Sequence, residues 1–530
     1  MNVRDATFEV MRRLGLATIF GNPGSTEIPF LTDLPDDLEF VLALHEGSVV
    51  GIATGYAIAT GRPAFVNLHT VPGLGNAVNA LANARECRAP LVVVVGQQDR
   101  RHLADAPFLT GRALERLAGE YPVWSQLPVR AQDVPSAIAR AYHEAATGRG
   151  PALVVVPMGD WLEEADPLAA TAPEAVLRPC SVRADEVRRL AELIGGAASP
   201  MMVVGAGSAT PEGWEAVTAL AERLRCPVWR EPFASRAGFP EDHPLFAGHL
   251  PWMRRRLRDH LAAHDLVLAI GTSAFRTYLF DEPVSLVEPG TQVAVVSDDP
   301  AEVHRSRCQL AVLGSVAATC AALAEQIPER ASADPPPRSR PEPPPPPGRD
   351  EPLRAGHLLA ALAEQLPADV ILVEEAPSNR PELLERIAAR SPLGFVSTAS
   401  GSLGFALPGA IGLKLGFRER PVLAVIGDGS AMYAIQALWS AAHYRVGVLL
   451  VVISNGGYAV MDAQARERGA PGPWPGFSGI DIAGIARSLG CESTRIDRYE
   501  ELAATLAEAL STLAGRREPL LVEVAVAPDR

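Results

Sequence analysis

Between residues 422 and 458 a carboxylate and an amide fall where one sheet edge would hold both. The apolar run Val422–Ile426 reads as a strand entering Gly427-Asp428-Gly429-Ser430. A helix is predicted over roughly Met432–Tyr444, and a second strand, Val448–Ile453, ends at Ser454-Asn455-Gly456-Gly457-Tyr458. A strand–helix–strand unit of this kind brings both loops to the same edge of a parallel sheet. Asp428 and Asn455, 27 positions apart, then offer two hard oxygens to one Mg2+ or Ca2+, with diphosphate oxygens and a backbone carbonyl completing the shell. The glycines let the backbone approach a phosphate, and the helix start adds unpaired N–H donors. Read alone, Gly-Asp-Gly is a plain turn; the asparagine at this spacing favours the metal and phosphate reading.

Other residues invite a chemical and an ordinary reading. Glu46 follows a buried strand and opens a run of small residues, where a carboxylate at a helix start is stabilised by the macrodipole. His69 ends an apolar strand, a common place for a structural histidine, yet an imidazole titrating near neutrality also moves protons. Ser25 lies in a Gly-rich stretch as a turn or cap residue. Leu403 is an ordinary core residue. Glu375-Ala376-Pro377-Ser378 follows a strand and sets a hydroxyl at its end.

The elements that must position these residues alternate short β-rich runs with helical patterns in three segments. Strands are predicted at Ala17–Phe20, Glu39–Leu44, Ala64–Leu68, Leu91–Val95 and Ala152–Val156. The second group is Met201–Val204, Pro227–Trp229, Val267–Ile270 and Val293–Val296. The third is Val370–Val373, Val422–Ile426, Val448–Ile453 and Leu520–Val526. Continuous Val/Ile/Leu runs between amphipathic helices imply α/β architecture: three doubly wound parallel-sheet domains with ligands at the carboxyl ends of strands. The expected boundaries are 1–165, 182–328 and 353–530. A Pro-rich linker, 329–352, is carried by Pro335-Pro336-Pro337 and Pro343–Pro347 and expected as an extended spacer. Val203-Val204-Gly205-Ala206-Gly207-Ser208 faintly resembles a nucleotide loop but lacks the third glycine, so no nucleotide is expected there.

Composition narrows the class of function. At 530 residues, 48% hydrophobic and 21% charged, the chain suits several buried cores. Its net charge of −14 and lack of a basic tract argue against nucleic acid as partner. Lys414 is the single lysine. No apolar stretch reaches membrane-spanning length, no leader is evident, and the six cysteines are scattered without a CxxC pair. A cytoplasmic protein with no membrane partner is expected.

Taken together, the motifs resemble those of the thiamine-diphosphate-dependent 2-oxo acid decarboxylase family. Gly427-Asp428-Gly429-Ser430 with Asn455 is similar to its diphosphate motif, with Ser454 where the first of two asparagines is usual. Phe20-Gly21-Asn22-Pro23-Gly24-Ser25-Thr26-Glu27, Leu42-Ala43-Leu44-His45-Glu46, Asn67-Leu68-His69-Thr70, Gly73-Leu74-Gly75-Asn76-Ala77 and Gly401-Ser402-Leu403-Gly404-Phe405-Ala406-Leu407-Pro408 also fit. The order is that of pyrimidine-binding, middle Rossmann-like and diphosphate-binding domains, with the benzoylformate decarboxylases as the most similar branch.

The resemblance implies thiamine diphosphate and Mg2+ (or Ca2+) as cofactors. Asp428, Asn455 and Gly457 become metal ligands, and Glu46 the partner of the aminopyrimidine ring. Pro23, Gly24, Ser378, Gly401, Gly427, Gly429, Ser430 and Tyr458 line the cofactor, and Leu403 props its bent form. His69 and Ser25 are implied to face the substrate. Tyr278, in Phe275-Arg276-Thr277-Tyr278-Leu279, stands where that branch carries a second catalytic histidine. Met461, Asp462 and Gln464 replace a more apolar, aromatic stretch, which fits a more polar substrate or a solvated helix face equally. The implied reaction is loss of CO2 from a 2-oxo acid to give an aldehyde, in a dimer or tetramer with active sites between subunits. A carboligase of the acetolactate-synthase type, or a homologue without turnover, are the alternatives.

Overall fold

Among the described residues, eighteen strands form three six-stranded sheets, and every paired strand runs parallel to its neighbour. The computed structural model describes residues 1–166, 173, 175–176, 182–331, 338–348 and 351–528. The first sheet has the spatial order Glu39–Leu42, Thr18–Asn22, Ala64–Leu68, Leu91–Gln97, Pro151–Pro157, Trp124–Gln126. The third repeats this order with Phe395–Ser397, Ile371–Glu375, Val422–Gly427, Leu449–Ser454, Leu520–Ala525 and Glu492–Ile496. The middle sheet runs Leu310–Leu313, Gln292–Ser297, Leu266–Ile270, Pro200–Val204, Val228–Arg230, Phe246–His249. The fold is therefore α/β with three doubly wound domains. Its central strands are wholly buried, as continuous apolar runs covered by helices on both faces must be.

Each expected strand is present. The five that sequence reading omits, Trp124–Gln126, Phe246–His249, Leu310–Leu313, Phe395–Ser397 and Glu492–Ile496, are all sheet edges. Most of these are half-buried and lack an uninterrupted apolar run. The helix expected over Met432–Tyr444 is corrected: short helices Asp428–Ala431 and Ala437–His443 flank a stretch of turns. Pro335–Pro337 lie outside the described residues. The described part of the Pro-rich stretch is a strap against the body and not a free spacer. Arg340 donates to Arg386 O and Glu241 O, Arg386 donates to Pro341 O and Glu342 O, and His357 Nε2 meets Pro345 O at 3.0 Å.

In both outer sheets the strand order reverses between the first and third strands in sequence, and crevices for ligands open at such switch points. One such end carries Asn22 and His69; the other carries Glu375 and the Gly427-Asp428 turn. Their mutual placement comes from two helices that are apolar on every face and therefore buried. Glu46–Thr60 crosses Ala406–Gly416 with main chain against main chain. A Cβ on Gly55 would collide with Gly409 O, and one on Gly412 with Ile52 O. Nearby, Tyr444 Oη accepts from Leu42 N at 2.8 Å and Ser440 Oγ donates to Leu42 O at 2.9 Å, pinning the strand that leads to Glu46.

The middle domain joins the others through ions. Arg88 reaches Asp298, Asp299 and Glu302, and fully buried Arg230 pairs with Glu241 at 2.7 Å while its guanidinium lies 3.9 Å from the Phe395 ring centroid. Gly205 and Gly207 are accounted for by close packing on Gly271 and Thr272. Among the described residues no helix is long and apolar enough to cross a membrane, and Cys87, Cys226, Cys308, Cys320 and Cys491 are free.

Gly55→Ala tests the helix crossing. The added methyl has no room, so stability should fall by about 1–3 kcal/mol, the usual range for overpacking, measured by denaturant unfolding.

Candidate active site

Glu46 opens its helix, is 8% exposed, and is held by two amides. Asn22 Nδ2 donates to Oε1 and Asn76 Nδ2 to Oε2, both at 3.0 Å. His45 Nδ1 accepts from Gly47 N at 3.0 Å and caps the same helix start. The carboxylate is thus oriented by neutral donors in a nearly dry place.

His69 is anchored by a residue to which sequence reading gave no role. Glu27, 1% exposed, lies 2.9 Å from His69 Nδ1 through Oε2 and accepts from Thr26 Oγ1 at 2.5 Å and Gly24 N at 2.7 Å. With the carboxylate as acceptor, the network assigns the proton to Nδ1 and leaves Nε2 as the free acceptor. Gly24 must be glycine here, because a Cβ would enter the His69 ring. Thr70, next in chain and fully buried, has φ +27°, a strained value for a threonine. Ser25 and Pro23 lie exposed on the same loop.

At the other switch point the Asp428 and Asn455 loops meet. Asp428 Oδ2 accepts from Gly456 N at 2.7 Å and Oδ1 from Gly429 N at 2.7 Å, while Asn455 Oδ1 accepts from Gly457 N at 3.2 Å. Burial pushes the Asp428 carboxyl above its ordinary value, opposed by those backbone N–H groups. Each carboxylate oxygen keeps a second lone pair, and a Cβ on Gly457 would meet nothing within 4 Å. This donor set of carboxylate, amide oxygen and backbone carbonyl suits a hard divalent cation. Among the described residues no group of three or more His, Cys, Asp or Glu is built to hold a metal. A cation here therefore needs oxygens from its ligand, as a diphosphate supplies.

Ser454 is occupied otherwise: its Oγ donates at 2.9 Å to the fully buried Glu523, which also takes Arg495 and Ala483 N. Ser378 Oγ accepts from Val460 N at 3.1 Å, so it stands at the head of the helix that follows Tyr458. Ser430 is 5% exposed and Gly427 lies at the turn. Tyr458 packs edge-on against Phe477 with ring centroids 5.1 Å apart. Asp462 accepts from Trp474 Nε1 at 2.8 Å on an exposed helix face, which favours the helix-face reading; Met461 is exposed and Gln464 half-buried.

Leu403 sits between two glycines with positive φ, Gly401 at +74° and Gly404 at +97°. Its carbonyl accepts from Asn79 Nδ2 at 3.3 Å. Glu375 Oε1 accepts from Gly404 N at 2.7 Å, and Oε2 from Phe405 N at 2.8 Å and Ala406 N at 2.7 Å. Burial pushes the Glu375 carboxyl up to about 7, although the three N–H groups favour its charged form. Tyr278 is half exposed on a middle-domain loop, its ring centroid 6.2 Å from that of Phe233; within the chain no hydrogen bond or ring contact joins it to Glu46 or His69 among the described residues.

Two groups thus lie at matching sheet edges: Glu46 and His69 at one, Asp428 and Asn455 at the other. Sequence reading missed the supports Glu27 and Glu375, and gave Asn22 and Asn76 no role. Asn76, Asn79 and Asn83 at helical spacing, and the Glu-Glu pair ending an apolar strand, were the available signals.

Comparison with known proteins agrees. The chain matches the thiamine pyrophosphate enzyme N-terminal TPP binding domain over residues 1–116, the central domain over 187–323 and the C-terminal TPP binding domain over 383–524. It is 38% identical to benzoylformate decarboxylase of Pseudomonas aeruginosa over 528 residues, 98% of each chain, and 27% identical to acetolactate synthase of Mycobacterium avium, covering 93% of this chain and 82% of that one. Among solved structures it is similar to the thiamine diphosphate-dependent 4-hydroxybenzoylformate decarboxylase of Rhodococcus jostii (TM-score 0.94, 34% identity, 100% of each chain). It is also similar to benzoylformate decarboxylase of Polynucleobacter necessarius (TM-score 0.95, 33% identity, 100% of this chain and 99% of that one). The chain belongs to the thiamine pyrophosphate enzyme family.

Asp428→Asn keeps the shape of the turn but removes its charge. Thiamine diphosphate binding in the presence of Mg2+, followed by calorimetric titration, should weaken by about 100-fold or more, since even outer-shell changes cost about 10- to 100-fold.

Proposed function

We propose that this protein is a thiamine-diphosphate-dependent decarboxylase of a benzoylformate-like aryl 2-oxo acid, releasing CO2 and an aldehyde. The observation that carries this reading is the buried Glu46 carboxylate, clamped by two amides, in a chain that also keeps Asp428 and Asn455 at a switch point. Identity of 38% over nearly the full length of a benzoylformate decarboxylase supports the substrate class. When bound, thiamine diphosphate supplies a cationic ring that accepts the electron pair left as the carboxylate departs as CO2.

The side chains do the rest. Glu46 holds a proton at the pyrimidine ring, and its two amide partners fix its direction where water does not compete. Asp428, Asn455 and the Gly457 carbonyl hold Mg2+ (or Ca2+) and so orient the diphosphate. Pro23, Gly24, Ser378, Gly401, Gly427, Gly429, Ser430 and Tyr458 line the cofactor, and Leu403 supports its rings. Glu27 keeps the His69 Nδ1 proton, so Nε2 is the atom that exchanges a proton with substrate, an arrangement in which a buried carboxylate sets the tautomer. Ser25 Oγ binds the substrate carboxylate. Tyr278 brings a phenol to the substrate-facing position, where an imidazole would be the readier proton donor.

Ile28, Leu44, Val71, Met432 and Tyr433 are exposed apolar residues on or beside the loops of the two clusters, which supports a further copy of the chain covering them. A dimer or tetramer with active sites between subunits is the assembly that fits.

The deciding experiment incubates the protein with thiamine diphosphate, Mg2+ and a panel including benzoylformate and pyruvate. Benzaldehyde and CO2 from benzoylformate are expected. Acetolactate or an acyloin as the main product would make it a carboligase, and no CO2 from any 2-oxo acid would sink the proposal. Glu46→Gln should lower turnover by about 10²- to 10⁴-fold, the range for a lost acid–base group, while cofactor and metal still bind.

A further inference from the structure

The segment between strand Phe395–Ser397 and helix Ala406–Gly416 carries Leu403 and is pinned at both ends by side chains from outside it. At its start, Asn83 Oδ1 accepts from Thr398 Oγ1 at 2.8 Å, Ala399 N at 3.1 Å and Ser400 N at 3.4 Å. At its end, both oxygens of Glu375 are taken up by three consecutive N–H groups, Gly404, Phe405 and Ala406. Leu403 lies between the pins, flanked by the two positive-φ glycines. Gly404 backs closely onto Tyr433, whose Cβ would lie 3.1 Å from any Cβ added there.

An ordinary helix cap is local, drawn from the residue just before the helix. Here that residue is Phe405, whose side chain cannot accept a bond, and the acceptor comes instead from Glu375, 29 to 31 positions earlier. Glu375 ends the strand paired with Val422–Gly427, opposite Ile426, so it sits beside the turn that holds Asp428. The neighbouring carboxylate is engaged elsewhere, since Glu374 binds Arg380 and Ser397. No cation pairs with Glu375 among the described residues. Its bonds are geometric ties between the Leu403 turn and the strand leading the diphosphate side.

We propose that Glu375 is a positioning residue of the reaction, acting through the Gly404–Ala406 turn to fix where Leu403 stands relative to the Asp428 loop. The inference rests on the reading of Leu403 as the support of the cofactor rings. A glutamine at 375 offers one acceptor oxygen and sets an NH2 group against N–H donors. An aspartate keeps charge and both oxygens but withdraws them by one methylene.

The test is a double-mutant cycle on the holoenzyme with Glu375→Gln, Glu375→Asp and Leu403→Ala. Three readings are taken: turnover, thiamine diphosphate affinity by titration, and the near-ultraviolet circular dichroism of the bound cofactor. Each Glu375 variant should lose roughly 10- to 100-fold in kcat, as small misplacements near chemistry do, with cofactor affinity little changed. Its dichroism should change in the same sense as that of Leu403→Ala. In the Leu403→Ala background the Glu375 substitutions should cost little more. Additive losses, or a fall in stability with kcat intact, would overturn the role of Glu375. Full turnover in Leu403→Ala alone would instead remove the reading of Leu403 on which the inference stands. If Glu375→Gln does not fold, the aspartate variant carries the cycle.

Discussion

The crossing of helices Glu46–Thr60 and Ala406–Gly416 brings main chain against main chain, because Gly55 and Gly412 each face the backbone of the opposing helix. Close-packed interiors transmit displacement instead of absorbing it. The start of one helix is Glu46, and the start of the other closely follows Leu403, so the crossing fixes how these two parts of different domains sit relative to each other. The Tyr444 and Ser440 bonds to Leu42 add a second tie at the strand before Glu46. A looser contact, built from long side chains, would let the two sheet edges drift while each domain stayed folded.

Helix Thr70–Glu86 extends the same logic. Asn76, Asn79 and Asn83 fall on one of its faces, spaced by three and then four residues, and such positions neighbour one another on a helix. Asn76 holds Glu46, Asn79 holds Leu403 O, and Asn83 holds the segment before it. Uncharged amides suit this place, since each orients a partner through hydrogen bonds without forming an ion pair with it.

What the sequence makes legible follows from burial. Central strands covered on both faces must be continuous apolar runs, and all of them are readable. Edge strands such as Trp124–Gln126 and Glu492–Ile496 carry mixed residues and take their form from one neighbour, so nothing local announces them. The Asp428 and Asn455 motif is readable because loop and strand fix it within one unit. Glu27 and Glu375 are not, because a buried carboxylate declares its role only through partners brought from elsewhere: His69 lies 42 positions away, and Gly404 lies 29. The Pro-rich stretch shows the limit in another form, for composition specifies its stiffness but not the surface on which Arg340 and Arg386 lay it.

A chain of net charge −14 that binds a diphosphate presents an electrostatic problem, and the treatment of its carboxylates answers it. Glu46 takes two amides, Asp428 takes two backbone N–H groups, and Glu375 takes three. None of the three forms an ion pair with an arginine or lysine among the described residues. Neutral donors orient a carboxylate without cancelling its charge, whereas a guanidinium would hold it and neutralise it. The Asp428 edge therefore presents a carboxylate and an amide oxygen of the kind that suit a hard divalent cation. Ser454 stands apart from this edge: its hydroxyl serves the buried Glu523, leaving Asn455 as the uncharged amide beside Asp428.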